Sequence, residues 1–150
     1  MNVAGLGDAL RVDLGRLTND LGNIVLGVGI DLVDAATVEL QIAVSGNRYL
    51  AHMLTPDELV FCGEDLSRIA SRIAGKEAVA KTLGTGFREG VRWQDIQIVR
   101  ADNGAPGVAL AGGAAERADA LGILDLLISL THEGGLAAAL VVGVGRKEEK

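Results

Sequence analysis

Two acids and a row of cations are the residues of this chain whose types and spacing could do chemistry. Asp31 directly follows an apolar run, Asn23 to Ile30. Arg68, Arg72 and Lys76 lie four apart, so on a helix they stack along one face. Glu77 and Lys81 form a second pair of the same spacing beside them. Alone, such a face reads as solvated and laced with helix ion pairs. An acid brought in from another element changes the reading. Two carboxylates from separate elements, ringed by cations, suit a magnesium ion shared with phosphates, because this hard ion prefers carboxylate, phosphate and water oxygens. The lysines and arginines would neutralise the remaining phosphate charge. Gly27 and Gly29, just before Asp31, would let a ligand approach the backbone closely. His132, at the end of an apolar run, is a turn hydrogen-bonder or a ligand-contacting group, whereas His52 lacks such context and reads as a surface residue.

These residues need elements to carry them. Asn23 to Ile30 (NIVLGVGI) predicts a buried strand with Asp31 at its end, and residues 34–45 predict a helix stopped near Ser45-Gly46-Asn47. Thr55-Pro56-Asp57-Glu58 is a helix start: Thr55 caps, Pro56 takes the first position and Glu58 stands three after the cap. Asp65 to Leu83 predicts the longest helix, with Leu66, Ile69, Ala70, Ile73, Ala74 and Ala78 as its apolar face and Gly84-Thr85-Gly86 as its stop. Trp93 to Arg100 alternates as a strand, with Trp93 in the core. Asp102-Asn103-Gly104 turns it into a hairpin with Gly107 to Leu110. Ala114 to Leu121 reads as a short helix, and Asp125 to Thr131 and Leu136 to Val144 as strands around His132-Glu133-Gly134-Gly135. The order indicates an α+β domain. Leu6, Leu10, Leu14, Leu17 and Leu21 form a helical stripe in an N-terminal extension, residues 1–22; the domain proper spans 23–145, and 146–150 is a charged tail.

The motifs together resemble a known family. Gly27-Val28-Gly29-Ile30-Asp31, followed 46 positions after Asp31 by Glu77 within Gly75-Lys76-Glu77-Ala78-Val79-Ala80-Lys81, resembles the two signatures of the 4'-phosphopantetheinyl transferase superfamily. Arg72-Ile73-Ala74-Gly75-Lys76-Glu77-Ala78, Leu83-Gly84-Thr85-Gly86 and Ile128-Ser129-Leu130-Thr131-His132-Glu133 look like its single-domain holo-[acyl-carrier-protein] synthase branch. The resemblance implies a small antiparallel sheet wrapped around a long helix, in a chain that forms homotrimers with each site between two neighbours. It implies transfer of 4'-phosphopantetheine from coenzyme A to a serine of an acyl carrier protein, or of a carrier domain in a fatty acid synthase. Asp31 and Glu77 match the acids that bind Mg2+ (or Mn2+ in its place). Lys81 matches a lysine near the pyrophosphate and joins Glu77 as a catalytic candidate. Arg72 and Lys76 match basic positions by the coenzyme A phosphates, His132 a histidine near the nucleotide, and Gly84, Thr85 and Gly86 a loop close to the adenosine end. One departure stands out. The stretch from Asp34 to Val44 has no basic residue, where relatives carry several that meet an acidic carrier. A carrier surface less electrostatic and more apolar than usual is the expectation.

Bulk properties narrow the alternatives. The 150 residues fit one domain, and a net charge of −6 argues against general nucleic-acid binding. One cysteine, Cys62, excludes an internal disulfide and a cysteine zinc cluster, and fits a reducing cytoplasm. No segment reaches the roughly 18 apolar residues of a membrane span. Gly27-Val28-Gly29 lacks the third glycine of a dinucleotide-binding fingerprint. The main rival is a non-catalytic coenzyme A or nucleotide-binding module on the same fold, which need not keep both acids; a second is a structural or interaction protein whose 1–22 helix docks elsewhere.

Overall fold

A computed structural model describes residues 22–146. The leucine stripe of 1–22 and the charged tail therefore lie almost wholly outside the described residues. The chain opens with strand β1 (Asn23–Asp34) and continues through helices α1 (Ala35–Ser45), α2 (Asn47–Met53), α3 (Pro56–Cys62) and α4 (Leu66–Thr82). A single 3-10 turn (Trp93–Asp95) leads into the hairpin β2 (Ile96–Arg100) and β3 (Pro106–Leu110). Helix α5 (Gly112–Leu121) precedes β4 (Asp125–Glu133) and β5 (Leu136–Arg146). The main sheet is antiparallel with order β1-β5-β4, and β2-β3 form a separate ladder. This is the expected α+β architecture, a small sheet against a long helix. Among the described residues, no helix is long and apolar enough to cross a membrane.

The helix ends follow local chemistry. Asp34 and Asp65 cap α1 and α4 through their carboxylates. At α3, Thr55 and Glu58 form the full reciprocal box, with the Thr55 N–H donating to Glu58 Oε2 at 2.8 Å.

The core forms where α4 crosses the inner face of the sheet. Ala74, Ala78, Val79, Ala80 and Leu83 pack with Ala139, Val141, Ile96 and Ile98. Small side chains allow an unusually close helix–sheet approach, and that changes the reading of the glycines. A Cβ on Gly29 would strike the Ala78 carbonyl, and one on Gly27 would sit 2.5 Å from the Thr82 carbonyl. These glycines admit the helix backbone to the strand; they do not open a path for a ligand.

Several expectations shift. β1 runs four residues past Ile30, so Asp31 lies within the strand and not at its end. It is not buried on both faces either: Val28, Ile30 and Leu32 point outward and stay exposed, as do Leu127 and Leu140. Trp93 stands in the 3-10 turn before β2, packed against the core edge. β4 continues through His132 and Glu133, which leaves Gly134-Gly135 as the turn. Helix α2, directly after Gly46, was not anticipated.

Candidate active site

Strand alternation decides which side chains can reach α4. Asp31 is in register with Ala139 of β5, and Ala139 with Leu130 of β4. Paired residues share a face, so Asp31 belongs to the face that α4 covers, at its β1 margin. There it meets the helix. Lys81 Nζ donates to Asp31 Oδ1 and to the Ile30 carbonyl, each at 2.9 Å. Glu77, one turn earlier, completes the group. Burial pushes its carboxyl up first and the Asp31 charge pushes it further, while Lys81 pulls the other way. The hydrogen bond to Asp31 holds the half-exposed Lys81 ammonium above its usual range. Two acids from distant elements and one lysine thus stand together, Lys81 hydrogen-bonded to Asp31 and Glu77 within reach of the charge of both.

This donor set fits a divalent cation. Two carboxylates concentrate negative charge, and the like-charge contact between them is the kind that a bound cation relieves. Among the described residues no cluster of three or more His, Cys, Asp or Glu could hold a metal. The protein offers two acids, which suits Mg2+ because that ion keeps several waters or phosphate oxygens.

The cation row divides. Its expected solvated face is a mixture, because Lys76 is fully enclosed. Lys76 Nζ lies 2.6 Å from Glu58 Oε2, with side-chain exposures of 0% and 1%. Glu58 also accepts from the backbone N–H of Ile98 at 2.7 Å. Lys76 is therefore not available to a phosphate in this fold; it is half of a buried ion pair tying α3, α4 and β2 together. The capping box flagged Glu58 only as a helix start, and its reach to Lys76 left no local signal.

Arg72 takes a different surrounding. Its guanidinium carbon lies 4.4 Å from the centroid of Phe61, with Arg68 at 5.1 Å and Arg100 at 5.6 Å from the same ring. These residues, with Ser71, Pro106 and His132, line a cavity of about 210 Å3. Arg72 Nε is buried there without a hydrogen-bond partner. Three arginines gathered on one ring concentrate positive charge at this cavity. Phe61 and Arg100 were missed because each is unremarkable in its own segment. His132 joins this cavity from β4.

The two groups stand on opposite flanks of α4. Arg72 and Glu77 are five residues apart, about 140° around a helix. Asp31 sits on β1 and His132 on β4, with β5 between them. The loop Gly84-Thr85-Gly86 is remote from the Arg72 cavity as well: it follows the C-terminus of α4, about 16 Å along the axis from Arg72. There Gly86 N–H donates to the Ala80 carbonyl at 3.2 Å, and Arg117 Nε to the Leu83 carbonyl at 3.0 Å. One chain does not bring the loop and His132 together.

Comparison with known proteins agrees with this architecture. The family model of the 4'-phosphopantetheinyl transferase superfamily matches residues 27–141, and the chain belongs to that superfamily. A holo-[acyl-carrier-protein] synthase of Desulforudis audaxviator is 40% identical over 130 residues, covering 85% of this chain and 98% of the relative. One from Maridesulfovibrio salexigens is 38% identical, covering 79% and 98%. The Helicobacter pylori synthase, solved in complex with coenzyme A, superposes with a TM-score of 0.71 at 34% identity, over 77% of this chain and 98% of that one. The Neisseria meningitidis synthase gives 0.74 at 29% identity, over 80% and 98%. Within the superfamily the chain is an enzyme of the holo-[acyl-carrier-protein] synthase kind.

Proposed function

We propose that this chain moves the 4'-phosphopantetheine arm of coenzyme A onto a serine of an apo acyl carrier protein, or of a carrier domain in a fatty acid synthase. The observation that carries this reading is the convergence of Asp31, Glu77 and Lys81. The serine oxygen bonds to the phosphorus next to pantetheine, the bond from that phosphorus to the bridging pyrophosphate oxygen breaks, and adenosine 3',5'-bisphosphate leaves. Such a displacement depends on positioning and charge neutralisation. Lys81 stands beside the acids to offset charge growing on the departing phosphate. Glu77, or a water held beside it, is a candidate to take the serine proton. Asp31 and Glu77 would hold Mg2+, which when bound supplies charge for polarising phosphate oxygens.

The arginine cavity around Phe61 has the charge to receive the nucleotide end of the coenzyme, with Arg72 and His132 in the roles the resemblance assigns them. Since it lies on the far flank of α4 from Glu77, one coenzyme molecule would use the acids of one subunit and the arginines of the next. The outer sheet face supports an assembly of that kind. Val28, Ile30, Leu32, Leu127 and Leu140 are exposed on one face of the sheet, the kind of apolar patch that a subunit interface covers. A homotrimer in the cytoplasm is the form we assign.

The test is direct. The protein is incubated with coenzyme A, Mg2+ and an apo carrier protein, and intact mass reports phosphopantetheine addition. Asp31→Ala and Glu77→Ala should each lower the rate ~100-fold or more. Wild-type rates in both would remove the basis of the reading, and a wild-type protein that binds coenzyme A without modifying a carrier would favour the binding-module alternative.

A further inference from the structure

A second cavity lies between the β2-β3 hairpin and the main sheet. Its walls are Val108 and Leu110 of β3, Ala115 and Ala118 of α5, and Ile123 and Leu126 at the start of β4. It shares no lining residue with the arginine cavity. At about 220 Å3 it falls below the ~300–1,000 Å3 of small-molecule sites, and these walls are apolar. Leu124 stands at its mouth and stays 68% exposed. Leu26 extends the same apolar surface toward the start of β1: its Cδ1 lies 3.8 Å from where a Cβ on Gly122 would stand, and it is exposed too.

The chain itself has a matching surface. Leu6, Leu10, Leu14, Leu17 and Leu21 lie outside the described residues and before the superfamily match, which starts at residue 27. At helical period they fall within an arc of about 80°. One flank of that arc carries Arg11, and the other carries Asp13 and Asp20. The groove is asymmetric in the complementary sense. Its acids, Asp119 and Asp125, both stand where α5 passes into β4, and neither is in an ion pair among the described residues. The distance to be spanned is short. β1 and β4 both run antiparallel to β5, so Gly22 leaves β1 at the end of the sheet where Leu124 enters β4. Val25 pairs with Val144 and Val144 with Asp125, two strand spacings of ~5 Å each. A helix over residues 1–21 would be about 30 Å long, enough to lie along the groove.

We propose that residues 1–21 dock as a helix in this groove of their own chain. Their leucines fill the apolar floor, and the Arg11 flank turns toward Asp119 and Asp125. The docked helix covers Leu124 and Leu26, which the domain by itself leaves bare.

Hydrogen exchange of the full chain, read by mass spectrometry, tests this. Amides of residues 6–21 should exchange ~10-fold or more slowly than in an unstructured chain. Leu124→Glu, a change at an exposed position, should bring them within about threefold of that limit and leave α4 protected. Free-chain exchange of 6–21 in the wild type, or undiminished protection in Leu124→Glu, would overturn the proposal. Leu17→Cys and Leu124→Cys test whether the helix belongs to the same chain, with the native Cys62 buried out of reach. Combined in one chain, the two introduced thiols should form an intrachain disulfide. A disulfide-linked dimer from the co-expressed single variants would give the groove to a second copy and overturn the assignment.

Discussion

Replacing Lys76 by Met separates a structural lysine from a phosphate-binding one. The Glu58 carboxylate accepts three hydrogen bonds in the native fold: from Thr55 N–H at 2.8 Å, Ile98 N–H at 2.7 Å and Lys76 Nζ at 2.6 Å. Methionine keeps most of the side-chain volume but strands a buried carboxylate on its two amide donors. Breaking one half of such a pair costs ~3–5 kcal/mol. For a domain of this size that lowers the midpoint of thermal unfolding by roughly 10 °C. Adding Glu58→Gln should recover part of the loss, because the stranded charge disappears while an oxygen remains for an amide. The double variant should therefore be more stable than Lys76→Met alone, the non-additivity expected of coupled neighbours. Melting curves of the three proteins, with titrations of coenzyme A below their midpoints, give the answer. A midpoint within about 2 °C of wild type would refute the stability argument. A large loss of coenzyme A affinity in a fully folded Lys76→Met would return the lysine to the phosphates.

Gly29→Ala places a methyl group against the Ala78 carbonyl and must push α4 off β1, at a cost of about 3 kcal/mol; an unchanged urea midpoint would show that the contact is not tight. Burial pushes the Cys62 thiol up to about 11 from 9.0. Its folded pKa is the higher, so the fold favours the protonated form, and the stability this contributes below pH 9 is lost as pH rises toward 11. Cys62→Val should flatten the alkaline decline, and native protein at pH 8 should resist a thiol reagent that labels the unfolded chain at once. Rapid native labelling would contradict that. Helix α1 has no basic residue and exposes Leu40 and Val44, so the on-rate for a carrier protein should change less than about threefold over a tenfold rise in ionic strength. A steep fall in stopped-flow traces would mean that other cations steer the encounter.

The local signals in the sequence proved sufficient for most elements. The Thr55 box, the Asp102-Asn103-Gly104 turn and the apolar face of α4 depend on neighbours within a few positions, and the structure carries each one. Errors arose where an element ended. β1 and β4 continue past the apolar runs because pairing with β5 supplies hydrogen bonds whatever the side chains are, and this carries Asp31 and His132 into strands.

The sequence alone paired Glu77 with Lys81 through helical period and offered Asp31 as a candidate partner; only the resemblance to a family joined the three. Only the tertiary structure decided what each cation does. Arg72 and Lys76 are equivalent by helical period, yet one is left with an unpartnered Nε in an arginine-lined cavity and the other is sealed against Glu58, eighteen residues earlier. It also decided why Gly27 and Gly29 are glycines: a helix backbone occupies the space where side chains would stand. The period of a helix fixes which residues share a face. Which part of that face meets solvent depends on elements that arrive from elsewhere in the chain, and no local pattern records their arrival.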